Sequence, residues 1–221
     1  GSVISAVDTT WGGLNITDVK IASYRKGQGR VIKESKAEAD FVAMSGGWNP
    51  ALHLWCHNGG KIHFDDKLQA FRPNEHHDRI VAIGAANGTF GLSQILAEAV
   101  HAGSKLAGSG NVHPVPHAVQ ADERPLEPIW FAPATGKYNE GNKHFIDYQN
   151  DVTAADLELA QREGYESVEH TKRYTTFGMA TDQGKTSNIN GLGVIAEASG
   201  KTIPEVGIGA AINDRLRRAA A

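Results

Sequence analysis

Five of the eight prolines fall between residues 114 and 133, as Pro114, Pro116, Pro125, Pro128 and Pro133. Proline lacks a backbone N–H, and it pushes the residue before it out of the helical region. No long helix and no central strand can run through such a stretch. The chain is therefore expected to fall into three parts: an α/β domain over residues 1–107, a Pro-rich linker over 108–143, and a small all-α domain over 144–221. Trp130 and Phe131 are the residues expected to pin the linker to the surface it crosses.

The first part alternates short apolar runs with turns. Residues 3–8, Ile16–Tyr24 and Gly29–Lys33 are predicted strands, the last two joined through Arg25-Lys26-Gly27-Gln28-Gly29. Ala51–Cys56 predicts a short helix, and Lys61–Phe64 with Ala70–Arg72 a hairpin-like pair. Two runs, Phe41-Val42-Ala43-Met44 and Arg79-Ile80-Val81-Ala82-Ile83, are continuous and apolar, the pattern of strands buried on both faces. Glycines follow each of them: Gly46 and Gly47 before Trp48, and Gly84-Ala85-Ala86-Asn87-Gly88-Thr89-Phe90-Gly91. Leu92, Ile95, Leu96, Ala99 and Val100 then mark one face of a helix. Strand, glycine turn and helix in this order carry a cofactor to a helix N-terminus in open α/β sheets.

In the last part, Thr153 is a predicted N-cap with Asp156 in the capping-box position, and the helix should stop at Gly164. Ser167 caps a second helix through Arg173. A third runs from about Ser187 to Ala198 and ends at Gly200, and Thr202-Ile203-Pro204-Glu205 opens a fourth. Ile208, Ala211, Ile212 and Leu216 form one apolar face.

Between the second and third helices lies Gly178-Met179-Ala180-Thr181-Asp182-Gln183-Gly184-Lys185-Thr186-Ser187-Asn188. A glycine loop with a cation that opens a helix suits an anion. It is not a P-loop, because five residues rather than four separate its glycines and no apolar strand leads into it.

Bulk properties exclude several classes. A formal net charge of -3 with scattered basic residues leaves no nucleic-acid footprint. Cys56 is the single cysteine, so the chain holds neither an internal disulfide nor a cysteine-ligated iron–sulfur cluster of its own. A cytoplasmic setting is the simplest expectation. No apolar run approaches the ~20 residues that span a bilayer. His113 and His117 would suit a metal only on a helix, which Pro114 and Pro116 disfavour; these and His76-His77 are expected to be surface histidines. The opening Gly1-Ser2, without an initiating methionine, is expected to be a cut site or cloning scar.

The segments Phe145–Thr153, Glu169–Thr176 and Gly178–Asn188 strongly resemble the alpha subunit of heterotetrameric sarcosine oxidase. Val42–Pro50 and the turn at 84–91 look like that subunit's dinucleotide-binding region, and the likeness covers roughly residues 40–207 in order. The resemblance implies a two-dinucleotide-binding (FAD/NAD(P)-binding) fold followed by a helical domain related to [2Fe–2S] ferredoxin-like domains. In such domains a Cys-x-Cys precedes the first helix, and two more cysteines flank a Gln-Gly loop. Here Ile146-Asp147-Tyr148-Gln149 and Asp182-Gln183-Gly184 stand there without cysteines, so no cluster is expected. This departure separates the chain from cluster-bearing dye-linked proline dehydrogenases, hydrogen cyanide synthases and opine oxidases.

The resemblance further implies an oxidoreductase complex that converts sarcosine to glycine and a methylene or formaldehyde equivalent, with release of hydrogen peroxide. NAD belongs to the alpha subunit, FAD to the beta subunit, and FMN to the alpha–beta interface; gamma and delta subunits complete the complex. Two family features are missing, the Gly-x-Gly-x-x-Gly near the N-terminus and the C-terminal folate domain. The chain is therefore expected to be an interior fragment or a naturally short subunit, with a partial NAD site, no catalytic residue and no activity alone. Ala85, Ala86, Asn87, Gly88 and Thr89 are expected to meet the dinucleotide. Relatives of this fold place an acid at the position of Ala85, so hydroxyl recognition must come from elsewhere, with Asn87 a candidate. Gly46, Gly47 and Trp48 cover the nicotinamide side, or form a structural turn. Thr181, Asp182, Gln183, Gly184, Lys185, Thr186 and Ser187 form the flavin-facing loop, whose Lys185, Thr186 and Ser187 would hold the phosphate, or form an ordinary capped turn. The alternative function is a non-catalytic scaffold or electron-transfer adaptor of an amine, opine or proline dehydrogenase-type complex.

Overall fold

The structure is a computed structural model that describes residues 2–9, 13–24, 31–43, 47–74, 80–108, 113–119, 128–131 and 143–206. It is a mixed α/β arrangement of small sheets and helices in two compact units, one drawn from Gly1–Gly46 and Glu127–Val206, the other centred on Gly47–Leu126.

In the first unit, β1 (Ser2–Thr9), β2 (Ile16–Tyr24) and β3 (Val31–Glu38) form an antiparallel meander in that order. The register sets Ile4 against Ile21 and Val19 against Ala37, and bulges interrupt β1 twice. Asp18 on β2 is buried and ion-paired with Lys36 on β3 at 2.8 Å. A two-stranded ribbon of β6 (Phe145–Asp147) and β7 (Val152–Thr153) then leads directly into α3 (Ala154–Arg162). The predicted capping box is present: the Asp156 N–H donates to Thr153 Oγ1 at 3.3 Å, and the Thr153 N–H donates to Asp156 Oδ2 at 2.8 Å. Such a cap contributes about 1 kcal/mol.

The helices α4 (Val168–Thr175), α5 (Asn188–Ser199) and α6 (Ile203–Val206) follow. Helix α3 packs on α4 and α5 through Ala154, Leu157 and Ala160, which are fully buried. Glycines in α5 make this packing close. Gly191 lies against the ring of the buried Phe177, and Gly193 against the ring of Trp130. Trp130 is thus packed against α5.

In the second unit, α1 (His53–His57) carries Trp55, whose indole N–H donates to the Lys61 carbonyl at 2.7 Å. The expected hairpin is present as β4 (Ile62–Asp65) and β5 (Ala70–Pro73), antiparallel, with Phe64 and Phe71 edge to face at 5.2 Å. A 3-10 helix (Gly84–Asn87) precedes α2 (Leu92–Leu106).

The two runs read as doubly buried strands do not form them. Phe41 is 75% exposed, Val81 is 51% exposed, and neither 41–43 nor 80–83 pairs with a strand among the described residues. Ile83 nevertheless keeps an extended backbone, with φ -136° and ψ 161°. Apolar sequence favours a buried strand only where neighbouring strands exist to cover it. The described sheets are all antiparallel. The expected turn at 25–29, His76-His77, Met44 and the face at 208–216 lie outside the described residues.

Candidate functional site

Two of the expected sites have defined geometry. The first is the turn from Gly84 to Thr89. Gly84 and Gly88 both adopt left-handed backbone, at φ 60° and 75°, which glycine tolerates without strain. A side chain at Gly88 would meet Leu68 and Arg72 at 2.8 and 2.9 Å. The Thr89 N–H donates to the Gly84 carbonyl at 3.0 Å and closes the turn. Two charged side chains hold it from outside. Arg72 of β5 donates from Nε to the Asn87 carbonyl at 2.9 Å, and its Nη1 pairs with Asp65 at 3.1 Å. Glu98, two turns into α2, receives the Gly84 N–H at 2.7 Å, the Asn87 Nδ2 at 3.3 Å and the Thr89 hydroxyl at 2.5 Å.

The structure therefore brings Asn87, Gly88 and Thr89 together in one turn, with Ala86 half-buried and Ala85 exposed in the same segment. The helix that follows is capped at Gly91, so the turn precedes the start of α2 rather than forming it. Burial pushes the Asp65 carboxyl up, but the Leu68 N–H, Arg72 and the Lys67 N–H outweigh it and hold the group below the usual carboxylate range. Gly47 and Trp48 are exposed, Trp48 at 80%, and Gly46 lies outside the described residues.

The second is the loop from Gly178 to Asn188. It is organised by two carboxylates. Asp147, 2% exposed at the end of β6, accepts the Gly178 N–H at 2.8 Å and the Ser187 hydroxyl at 3.5 Å through one oxygen. Its other oxygen accepts the N–H groups of Gln149 and Asn150 at 2.9 and 3.2 Å. Asp182 accepts the Gly184 N–H, the Thr186 N–H and the Thr186 hydroxyl at 2.9, 3.0 and 2.6 Å. The Thr186 hydroxyl above all, with those N–H groups, holds the Asp182 carboxyl below its ordinary value. Thr181 donates to Gln149 Oε1 at 2.6 Å, and the buried Lys172 donates from Nζ to Asn188 Oδ1 at 3.1 Å. That amide lies directly against Gly178 and Gly184, where no Cβ fits, and Gln183 between them is left-handed at φ 56°.

Of the expected flavin-facing residues, Thr181, Gln183, Lys185 and Thr186 are exposed and Asp182 is half-buried. Gly184 is buried, and Ser187 is 1% exposed with its hydroxyl turned inward. Lys185 is the exposed cation of this loop, beside the Asp182 carboxylate.

Residues 141–212 match the family described as "Sarcosine oxidase A3 domain". The sarcosine oxidase alpha subunit of Rhizobium meliloti strain 1021 is 40% identical over 173 residues, 76% of this chain and 17% of that protein. Those of Corynebacterium strains P-1 and U-96 are 36% and 33% identical over 188 and 205 residues, 82% and 90% of this chain. The chain belongs to the sarcosine oxidase alpha-subunit family. It spans about a fifth of the length of these relatives, between 17% and 21%. The fold is shared with a solved structure, L-proline dehydrogenase from P. horikoshii, with a TM-score of 0.60 and 18% identity over 93% of this chain and 40% of that one.

No sequence pattern marks Glu98 or Arg72, and Asp147 and Asn188 stand in the expected segments without an expected role of their own. Asp147 stood within the segment that replaces the cluster ligands, but nothing in the sequence ties it to Gly178. Among the described residues no group of three or more His, Cys, Asp or Glu side chains could hold a metal, and His113 and His117 are exposed. No described helix is long and apolar enough to cross a membrane.

Proposed function

We propose that the chain forms part of the alpha subunit of a sarcosine oxidase complex, and that it positions cofactors rather than reacting with the substrate. The observation that carries this reading is the identity of 33–40% to sarcosine oxidase alpha subunits over at least 76% of the chain. The turn at 84–89 follows an apolar run whose last residue, Ile83, is extended, and it leads into α2, the order in which open α/β sheets carry a cofactor. The turn at 84–89 then holds part of NAD, with Asn87, Gly88 and Thr89 nearest the ligand. Gly46, Gly47 and Trp48 belong to its nicotinamide side.

The loop at 181–187 faces a partner beta subunit that carries FAD and, at the shared interface, FMN. Lys185 is the cation it offers outward, and Asp147 and Asp182 fix the backbone behind it. When bound, the flavin supplies the amine oxidation. This chain's residues orient it and exclude water. Gamma and delta subunits complete the assembly in the cytoplasm, and the chain is inactive alone.

The inward-facing donors of this loop favour a second reading, a scaffold without a cofactor contact of its own. One experiment separates the two: co-expression with a sarcosine oxidase beta subunit, and measurement of sarcosine-dependent hydrogen peroxide release with Lys185→Ala beside the unaltered chain. The oxidase reading expects a stable complex, activity, and a lowered flavin content in the variant. A stable complex whose flavin content and activity ignore Lys185→Ala supports the scaffold, and failure to associate with the beta subunit contradicts both.

A further inference from the structure

We infer that Glu98 is the residue that recognises a ribose hydroxyl at the turn 84–89, in place of the acid absent at Ala85. The inference rests on the reading of this turn as a dinucleotide site. A carboxylate has about four acceptor positions. The three donors it receives here, from Gly84, Asn87 and Thr89, leave one. Glu98 is half-buried rather than sealed in the core.

The same geometry sets the chemical class of what binds. A phosphate brought to the Gly84 N–H would lie beside a fixed negative charge, and like charges at hydrogen-bond range repel. A hydroxyl instead donates to that charge, and a charge-assisted bond is about twice as strong as a neutral one. The turn thus takes the uncharged, hydroxylated part of the dinucleotide and rejects its pyrophosphate. The charge of Arg72, which bonds the Asn87 carbonyl, is already balanced by its ion pair with Asp65. Asn87, the expected hydroxyl reader, has its own amide directed to Glu98 and is a positioning residue here.

The test uses the full polypeptide assembled with its partner subunits, as wild type, Glu98→Gln, Glu98→Asp and Glu98→Ala. Titrations compare NAD with its two monodeoxyribose analogues. In wild type, one analogue binds roughly tenfold to a hundredfold more weakly than NAD, the loss of one charge-assisted hydrogen bond. In Glu98→Gln that difference shrinks several-fold, and Glu98→Asp restores part of it. A purely structural role lowers all three affinities equally and keeps their ratio, which overturns the inference while leaving the site intact. Absence of NAD binding to the wild type overturns the site and the inference together. Hydrogen exchange without ligand gives an independent check: the Gly84 amide exchanges faster in Glu98→Ala, and an unchanged rate overturns the claim that Glu98 holds the turn.

Discussion

The Asp147 carboxylate accepts the Gly178 N–H at 2.8 Å, joining the end of β6 to the start of the cysteine-free loop 31 residues later. The carboxylate is buried and receives four donors in all. Asp147→Ala leaves those donors without an acceptor and is expected to cost about 3 kcal/mol. Asp147→Asn, which turns an N–H₂ toward a donor, costs less. Urea denaturation of the two variants measures the difference.

Helix glycines are ordinarily weak points, and Gly→Ala strengthens a helix by roughly 0.5–1 kcal/mol. Gly191 and Gly193 of α5 reverse that sign. A methyl at either position runs into the ring of Phe177 or Trp130. Overpacking of this kind costs about 1–3 kcal/mol. Gly191→Ala is expected to lower the melting temperature, and Phe177→Leu in the same chain to recover part of the loss.

Thr176 ends α4 in the left-handed region, at φ 63°. A β-branched residue is strained there, by about 1–2 kcal/mol. Its carbonyl accepts the Asn150 side chain at 2.9 Å, a bond that any residue at 176 can keep. Thr176→Gly is therefore expected to stabilise the fold by about 1 kcal/mol, read as a raised melting temperature.

Acid should loosen the loop before the rest of the helical domain. The Asp182 carboxyl is held below its ordinary value in the fold by the Thr186 hydroxyl and the nearby N–H groups. Its contribution is present above the unfolded value and is lost as pH falls through the folded one. The protection of the Thr186 amide, its exchange rate relative to the unstructured rate at the same pH, should fall below about pH 4. Asp182→Asn should flatten that dependence.

Local chemistry made much of this legible in advance. The capping box at Thr153 and Asp156, the stops at Gly164 and Gly200 and the hairpin around Gln69 depend on residues a few positions apart. The relations that shape the candidate sites do not. Glu98 reaches back 14 residues to Gly84, and Ser187 reaches 40 to Asp147, so neither leaves a pattern in any short window. The described parts of the two apolar runs, 41–43 and 80–83, show the opposite error. Their composition specifies a buried strand, but strand formation also needs partners.

On the proposed reading, the turn from Gly84 to Thr89 holds part of NAD. Equilibrium titration of NAD against the full polypeptide in its complex tests it most directly, with Gly88→Val as the control, because any side chain at Gly88 collides with Leu68 and Arg72. Saturable binding, weakened at least tenfold in Gly88→Val while the complex remains assembled, is the predicted result. No saturable binding, or binding that Gly88→Val leaves unchanged, would contradict it.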